Sequence, residues 1–451
     1  MLHRLLAMGF VCLLLLVPLK AQEMRFRYDL EQCIEYALTH QVDIKNVQIE
    51  VYQAQTQVNQ YLSSGFPQIS GGANITYLPQ IPVTVLPGEL NFIEPGKPAA
   101  VQFGLPWQGS AGISLSQLAV DGTFFIGIKA AKELVTLYRK NTLRTQEETA
   151  LAVSKAYYSA LISRESLNTL DANLARVKKL YDDTKALNES GFVEKIDVDR
   201  LQITLANLNI QRLRTEGFVE LNHDLLKFQM GMPVEAKLEL VESVEDVAIS
   251  PVPIEDILAF DPANRVEYGI VKKQHELQTY NLRRYRAGYY PTLYALAGLN
   301  VNVFGQEFSS LTQDRWYPSS NVGLQLNIPI FDGMNKRNKV AEVKLELKKI
   351  ENSIEVLENS ITLELKSTSR SLRDAYINLE ALRNNAELAA RIFHVADIKY
   401  KEGVGSSLEL NDADSQLKES ESSYLSGLLE YLLAKVDYQK ARGEFARYHQ
   451  E

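Results

Sequence analysis

Cysteine is nearly absent from this chain of 451 residues, which holds only 2. Cys12 falls in an apolar leader without the small neighbours of a lipoprotein box, so no lipid anchor is expected. Cys33 then has no partner, which excludes an internal disulfide. Histidine is sparse too. His40, His223, His275, His394 and His449 are scattered, without the His-Glu-x-x-His or Cys/His spacing that holds a metal. A Gly-x-Ser-x-Gly elbow and a phosphate-binding glycine loop are missing as well, so the chain reads as a non-enzyme without a cofactor. Basic residues are not in excess: the formal net charge is -8, which argues against nucleic acid as a partner. After residue 22 no run of about 18 apolar residues occurs, so no transmembrane helix is expected.

What is present begins with a leader. Residues 1–22 read as a secretory signal, with Arg4 as the positive start, Leu5 to Leu19 as the apolar core and Ala21-Gln22 as a cleavage point. An exported chain without a membrane helix is either soluble or crosses lipid as a closed barrel. From Asn321 the chain alternates Val322, Leu324, Leu326, Ile328 and Ile330 with Gly323, Gln325 and Asn327, the period of a strand with one oily and one polar face. After Asp332-Gly333 the period changes to the steps of four and three at Val343, Leu347, Ile350, Ile354, Leu357 and Ile361, a coiled-coil seam. No proline and no glycine interrupts it before Gly403, which predicts one helix of about 70 residues, on the order of 100 Å.

The earlier part of the chain has the same organisation. Leu30, Ile34 and Leu38 mark a short amphipathic helix, and a more polar helix follows from about Asp43 to Ser63, ended by Gly65 and Pro67. Strands are expected at about 68–78 and 111–120, then a long helix to 190 and another to 230. Residues 80–110 read as a proline-rich loop with Phe92, Phe103 and Trp107, and residues 231–263 as a linker with a short strand at Leu238 to Val241. The pattern then restarts. Leu30, Ile34, Val42, Asp43, Tyr61 and Pro67 recur in register as Ile254, Leu258, Val266, Glu267, Tyr285 and Pro291. Gly112, Leu115, Asp121 and Gly122 recur as Gly323, Leu326, Asp332 and Gly333. Gly191, Ile196 and Asp197 recur as Gly403, Leu408 and Glu409. A tandem duplication is expected: residues 23–230, then the linker, then residues 264–451 with strands at about 292–304 and 321–330, a long helix to 402 and a helix to 449. Four strands do not close a barrel with a channel, which takes about eight, so the strand edges are expected to pair with other copies.

These residues resemble the TolC family of outer-membrane efflux proteins. The likeness rests on Asp332-Gly333 after the strand, on Gly-x-Pro and Gly-Tyr-Tyr-Pro before the first strand of each half, and on Tyr400-Lys-Glu-Gly403 followed by Ser407-Leu-Glu-Leu-Asn-Asp-Ala413. It runs from about Leu30 to Tyr448. The resemblance implies an internally duplicated fold, an all-α coiled-coil tunnel plus a transmembrane β-barrel. It further implies a homotrimer whose twelve-stranded barrel sits in the lipid of the bacterial outer membrane above a twelve-helix periplasmic tunnel. A periplasmic adaptor (membrane fusion) protein would join it to an inner-membrane pump, and export through it would be passive.

By the same resemblance Glu409 and Asp412, three apart on one helix face, match the acidic positions that narrow the tunnel, where copies around an axis would favour cations. Ser406 and Glu409 also read as a capping box, which explains Glu409 without any channel. Asp197 and Tyr400 match a pair whose hydrogen bond helps hold the tunnel shut, although Tyr400 also fits a seam position, where packing alone explains it better. Gly405 stands where the best-studied member carries an arginine that makes a further latch contact. Gly191 and Gly403 mark the turns where adaptor hairpins would dock, and a left-handed residue ending each long helix accounts for glycine there in any case. Two other readings remain open, a periplasmic coiled-coil adaptor and a structural stalk. An adaptor predicts one hairpin flanked by small domains, and a stalk predicts one continuous heptad array.

Overall fold

The computed structural model describes residues 25–90, 96–244, 249 and 260–449. The expected leader, Phe92 and much of the expected linker lie outside the described residues. In chain order, strand β1 (Arg25–Tyr28) leads into helix α1 (Leu30–His40) through an Asp29/Gln32 capping box, with side chain and backbone bonded both ways. Two reciprocal bonds satisfy orphan N–H groups of the first turn. Helix α2 (Val42–Ser63) and strand β2 (Gln68–Tyr77) follow. The loop expected after them contains an antiparallel hairpin, β3 (Val83–Leu86) with β4 (Ala99–Gln102). Strand β5 (Trp107–Val120) passes into the 68-residue helix α3 (Gly122–Glu189), then α4 (Lys195–Met230) and β6 (Lys237–Leu240). The second series is α5 (Val266–Ala287), β7 (Thr292–Gly305), β8 (Tyr317–Asn327), the 67-residue α6 (Asn335–Lys401) and α7 (Ser407–Ala441).

Several boundaries differ from the sequence reading for physical reasons. Strand β8 starts at Tyr317 and ends at Asn327, opposite Thr292, the first residue of β7. Ile328 and Ile330 continue the alternation but have no strand beside them. Pro318 is the second residue of β8, at its loop end, where one missing N–H interrupts the ladder least. The expected last helix stops at Ala441, and Gly443 at φ +71° leads into a 3-10 stretch, Glu444–Tyr448. The short strand expected near Leu238 is β6, and it pairs in parallel with β1.

The chain divides into two units. One comprises Met1–Ile49, Lys140–Gly269 and Glu355–Glu451. Its main core packs Ile34, Leu38, Tyr157, Leu161, Leu226 and Met230, and a second packs Leu365, Leu379, Leu428, Tyr431 and Leu432. Burial in the first of these pushes the Cys33 thiol up to about 12, so it is an inert packing group. Further along, Leu170, Val177, Leu201 and Leu208 form the seam between α3 and α4, and Ala396, Tyr400, Leu410 and Ala413 form that between α6 and α7. Spacings of three, four and seven place these side chains on facing stripes.

The other unit, Glu50–Arg139 and Ile270–Ile354, holds one four-stranded antiparallel sheet in the order β2-β5-β7-β8. Ala54 and Val58 of α2 pack against Val135 of α3 beside it.

Candidate functional site

The sheet has two faces of opposite character, fixed by the period-two alternation and the register. Ile69 pairs with Leu115, Gly71 with Ile113, Ile113 with Leu299, and Ala297 with Val322. These share one face, and it is apolar across all four strands. Its residues are uncovered: Val322 is 88% exposed, Leu324 74% and Ile69 69%. A contiguous oily face of this kind is not left to water. Ser70 opposite Ser114, Gly112 opposite Asn300, and Gly298 opposite Asn321 form the other face, which is small, polar and uncharged. Asn300 lies over Gly112, where an added Cβ would stand 2.0 Å from its Oδ1. The glycine therefore makes room for an amide lying flat on the polar face.

Aromatic rings mark both ends of the sheet. At the loop end Tyr77 and Trp107 lie 4.6 Å apart, and Phe308 meets Trp107 edge-on at 5.1 Å. At the helix end Phe66, Phe125, Tyr289, Tyr290 and Phe331 are exposed. Two aromatic belts flanking an apolar band are what interfacial rings make of a lipid boundary. No helix among the described residues is long and apolar enough to cross a membrane. The outer edges of β2 and β8 have no strand partner among the described residues. In lipid, which offers no substitute hydrogen bonds, such edges would need further strands beside them.

The helix ends of the other unit hold the remaining expected residues. Gly191 and Gly403 adopt φ +80° and +74°. Each closes its long helix with a pair of bonds, Gly191 N to Asn188 O with Phe192 N to Leu187 O, and Gly403 N to Tyr400 O with Val404 N to Lys399 O. That is the left-handed helix stop for which glycine is suited. Phe192 and Val404 on the two turns are each 79% exposed.

Ser406 Oγ accepts from Glu409 N at 3.1 Å, and the Glu409 carboxylate meets Lys399 Nζ at 2.9 Å. Asp412 is exposed, and with Arg391, Lys399 and Glu409 it lines an open groove of about 660 Å³ between the end of α6 and the start of α7. Asp197 is 3.4 Å from Arg200, and the Tyr400 hydroxyl is 3.1 Å from Thr184 Oγ1 in a buried contact. The structure therefore brings Glu409 and Asp412 together but gives Asp197 and Tyr400 separate partners within the chain. Gly405 packs on the end of α6, its N–H donating to Lys399 O at 3.0 Å, and an added Cβ would lie 2.9 Å from Lys399 Cβ.

Sequence reasoning missed the tie between coils. Arg176 of α3 donates to the buried Asp414 of α7 at 2.9 Å and to Asn173, with its guanidinium over the Phe393 ring at 4.9 Å. It also missed Arg265, whose guanidinium spans Glu267 and Glu364, with Lys440 at 3.0 Å from Glu364. Neither carried a local signal: Arg265 is an extended residue just before α5, and Arg176 lies among other polar residues of α3 such as Asn173 and Lys179.

A sheet with one apolar and one polar face and open edges, joined in sequence to helices of this length, is the arrangement expected of outer-membrane proteins that combine strands with coiled-coil helices. Residues 271–444 match the family model described as outer membrane efflux protein. The resemblance to the TolC family and the outer-membrane location are borne out. Among curated relatives, the outer membrane protein TolC of Vibrio cholerae is 18% identical over 336 residues, covering 74% of this chain and 76% of its own length. A probable efflux pump outer membrane protein of Pseudomonas putida, TtgC, is 21% identical over 430 residues, covering 92% and 82%. Among solved structures, CusC superposes with a TM-score of 0.73 at 13% identity, covering 92% of each chain. The Campylobacter jejuni CmeC outer membrane channel gives 0.70 at 17% identity, covering 92% of this chain and 85% of its own. These likenesses to solved structures show the fold.

Proposed function

We propose that this chain is the outer-membrane channel of a tripartite export system, conducting substrates passively from an inner-membrane pump and a periplasmic adaptor to the exterior. The observation that carries the reading is the sheet: four strands, one bare apolar face, one small polar face and two open edges. An adaptor or a stalk has no use for such a sheet. A homotrimer with a twelve-stranded barrel and a twelve-helix tunnel, built from duplicated halves at 23–230 and 264–451, follows from the TolC resemblance. The helices support it. On α4, Ile196, Ile203, Ile210 and Leu213 are exposed, and on α6, Val356, Leu363 and Ile377. These near-heptad apolar stripes have no cover within one chain, and neighbouring copies would supply it.

Within that assembly Asp412 and Glu409 are the constriction residues. Lys399 pairs with Glu409, so the uncompensated negative charge at the narrow end rests mainly on Asp412. The closed-state contact of this chain runs through Tyr400 and Thr184, Asp197 being engaged by Arg200. Gly405 leaves no room for the arginine of the best-studied member, so that latch is missing here. The turns at Gly191 and Gly403, with Phe192 and Val404 bare, are the adaptor-docking points. The test is single-channel recording of the purified chain in planar lipid films. Cation-selective conductance is expected, weakened in Asp412→Asn and strengthened in Lys399→Gln. A chain that forms no channels overturns the reading.

A further inference from the structure

The helix ends next to the sheet carry a charge pattern that channel function does not require. Pairing of Thr292 with Asn327 and of Leu293 with Val120 sets the ends of β5, β7 and β8 at one level. Gln117 bonds to Gly65 O at 2.7 Å, which brings the end of α2 to the same level. Just beyond lie the last turns of α5 and the first turns of α3 and α6. Lys129, Lys132, Arg283, Arg286 and Arg337 are exposed there. None of the five makes an ion pair among the described residues. Of the nearby acids, Asp332 is paired with Lys336 at 3.0 Å and Glu133 with Lys273 at 2.9 Å, whereas Asp121 accepts from the neutral Thr123 N–H at 2.7 Å and keeps its charge. Residues 51–88, which include the neighbouring end of α2, have no charged side chain. The charge at this level is therefore mainly positive, five unpaired cations against the Asp121 carboxylate, in a chain that is acidic overall.

From these observations we infer that this ring is a docking surface for anionic phospholipid headgroups of the membrane leaflet facing the helices. The charges lie one to three helical turns from the strand ends, about 5–15 Å. A headgroup layer is about 5–8 Å thick, its potential reaches about 8 Å further, and long basic side chains extend towards it along their apolar stems. The exposed Tyr289, Tyr290 and Phe331 lie between these cations and the apolar face, where headgroup meets acyl chain. Arg283 and Arg286 are three apart on one helix face, so they meet the same headgroup layer together.

The inference rests on the outer-membrane reading, and its test separates the two. The purified full chain in detergent is titrated with phosphatidylglycerol or phosphatidylcholine and the retained lipid counted by native mass spectrometry. The same preparation is recorded in planar films. Phosphatidylglycerol should be preferred, and the preference should fade in high salt. Arg283→Gln, Arg286→Gln and Arg337→Gln should each lower it about fivefold, whereas lysine at the same positions should keep it. Equal retention of the two lipids by the unmodified protein overturns the inference. So does a Gln variant that changes ion selectivity while keeping its lipid preference, since the arginines would then line the pore. Conductance without lipid preference sinks this surface alone. Lipid preference without conductance supports the surface and sinks the channel.

Discussion

Arg265 is 3% exposed and holds Glu267 with bonds of 2.9 and 3.1 Å. Burial alone would raise the Glu267 carboxyl, but the guanidinium's hydrogen bonds and charge bring it down from 4.5 to about 2. A carboxylate depressed in the folded state stabilises above its unfolded value and loses that contribution as pH falls. Stability should therefore decline from about pH 4.5 towards pH 2, and Glu267→Gln should flatten this part of the curve in thermal melts. Arg176 and Asp414 form the other buried tie. Asp414→Ala leaves a guanidinium that is only 25% exposed without its carboxylate, and about 3 kcal/mol of stability should go with it, read from denaturant midpoints. Tyr400→Phe strands Thr184 Oγ1 at a cost of about 1 kcal/mol, while the double variant with Thr184→Val should recover most of it. Leakage of antibiotics through the single variant should rise; unchanged currents would rule out a closing role. Tyr400 was legible in the sequence by its motif. Thr184 was not, because its partner lies on another helix and nothing in the spacing of α3 points across.

Elements with strong periods were read well. Strands β2, β7 and β8 and the uninterrupted α6 followed from alternation, from heptads and from the positions of glycine and proline. The hairpin β3–β4 was lost among the prolines of residues 80–110, and β1 carries too few residues for a pattern to show. Its pairing with β6 depends on contacts that only the fold creates. The α6–α7 turn gives a sharper test. Gly405→Arg introduces the residue that the TolC resemblance would lead one to expect there, yet its Cβ would stand 3.0 Å from Tyr400 N. The turn has to shift, so hydrogen exchange at Lys399 to Glu402 should quicken, and no added latch should be seen in closed-state conductance. An unchanged exchange rate would show that the turn absorbs the side chain freely.

At the scale of the whole molecule the sheet calls for more than one chain, without fixing how many. Four strands fall short of the eight that a small barrel takes, so the protein should run as a heat-modifiable oligomer in mild detergent and conduct only in that form. A conducting monomer would refute this. Open edges also have a genetic consequence. When every conduit shares its wall among copies, a cell that makes both normal and misfolding versions builds mostly mixed walls, and one bad member spoils each wall it joins. Loss-of-function alleles that leave β2 and β8 intact should therefore be dominant, whereas those that destroy either edge should be silent beside a normal copy.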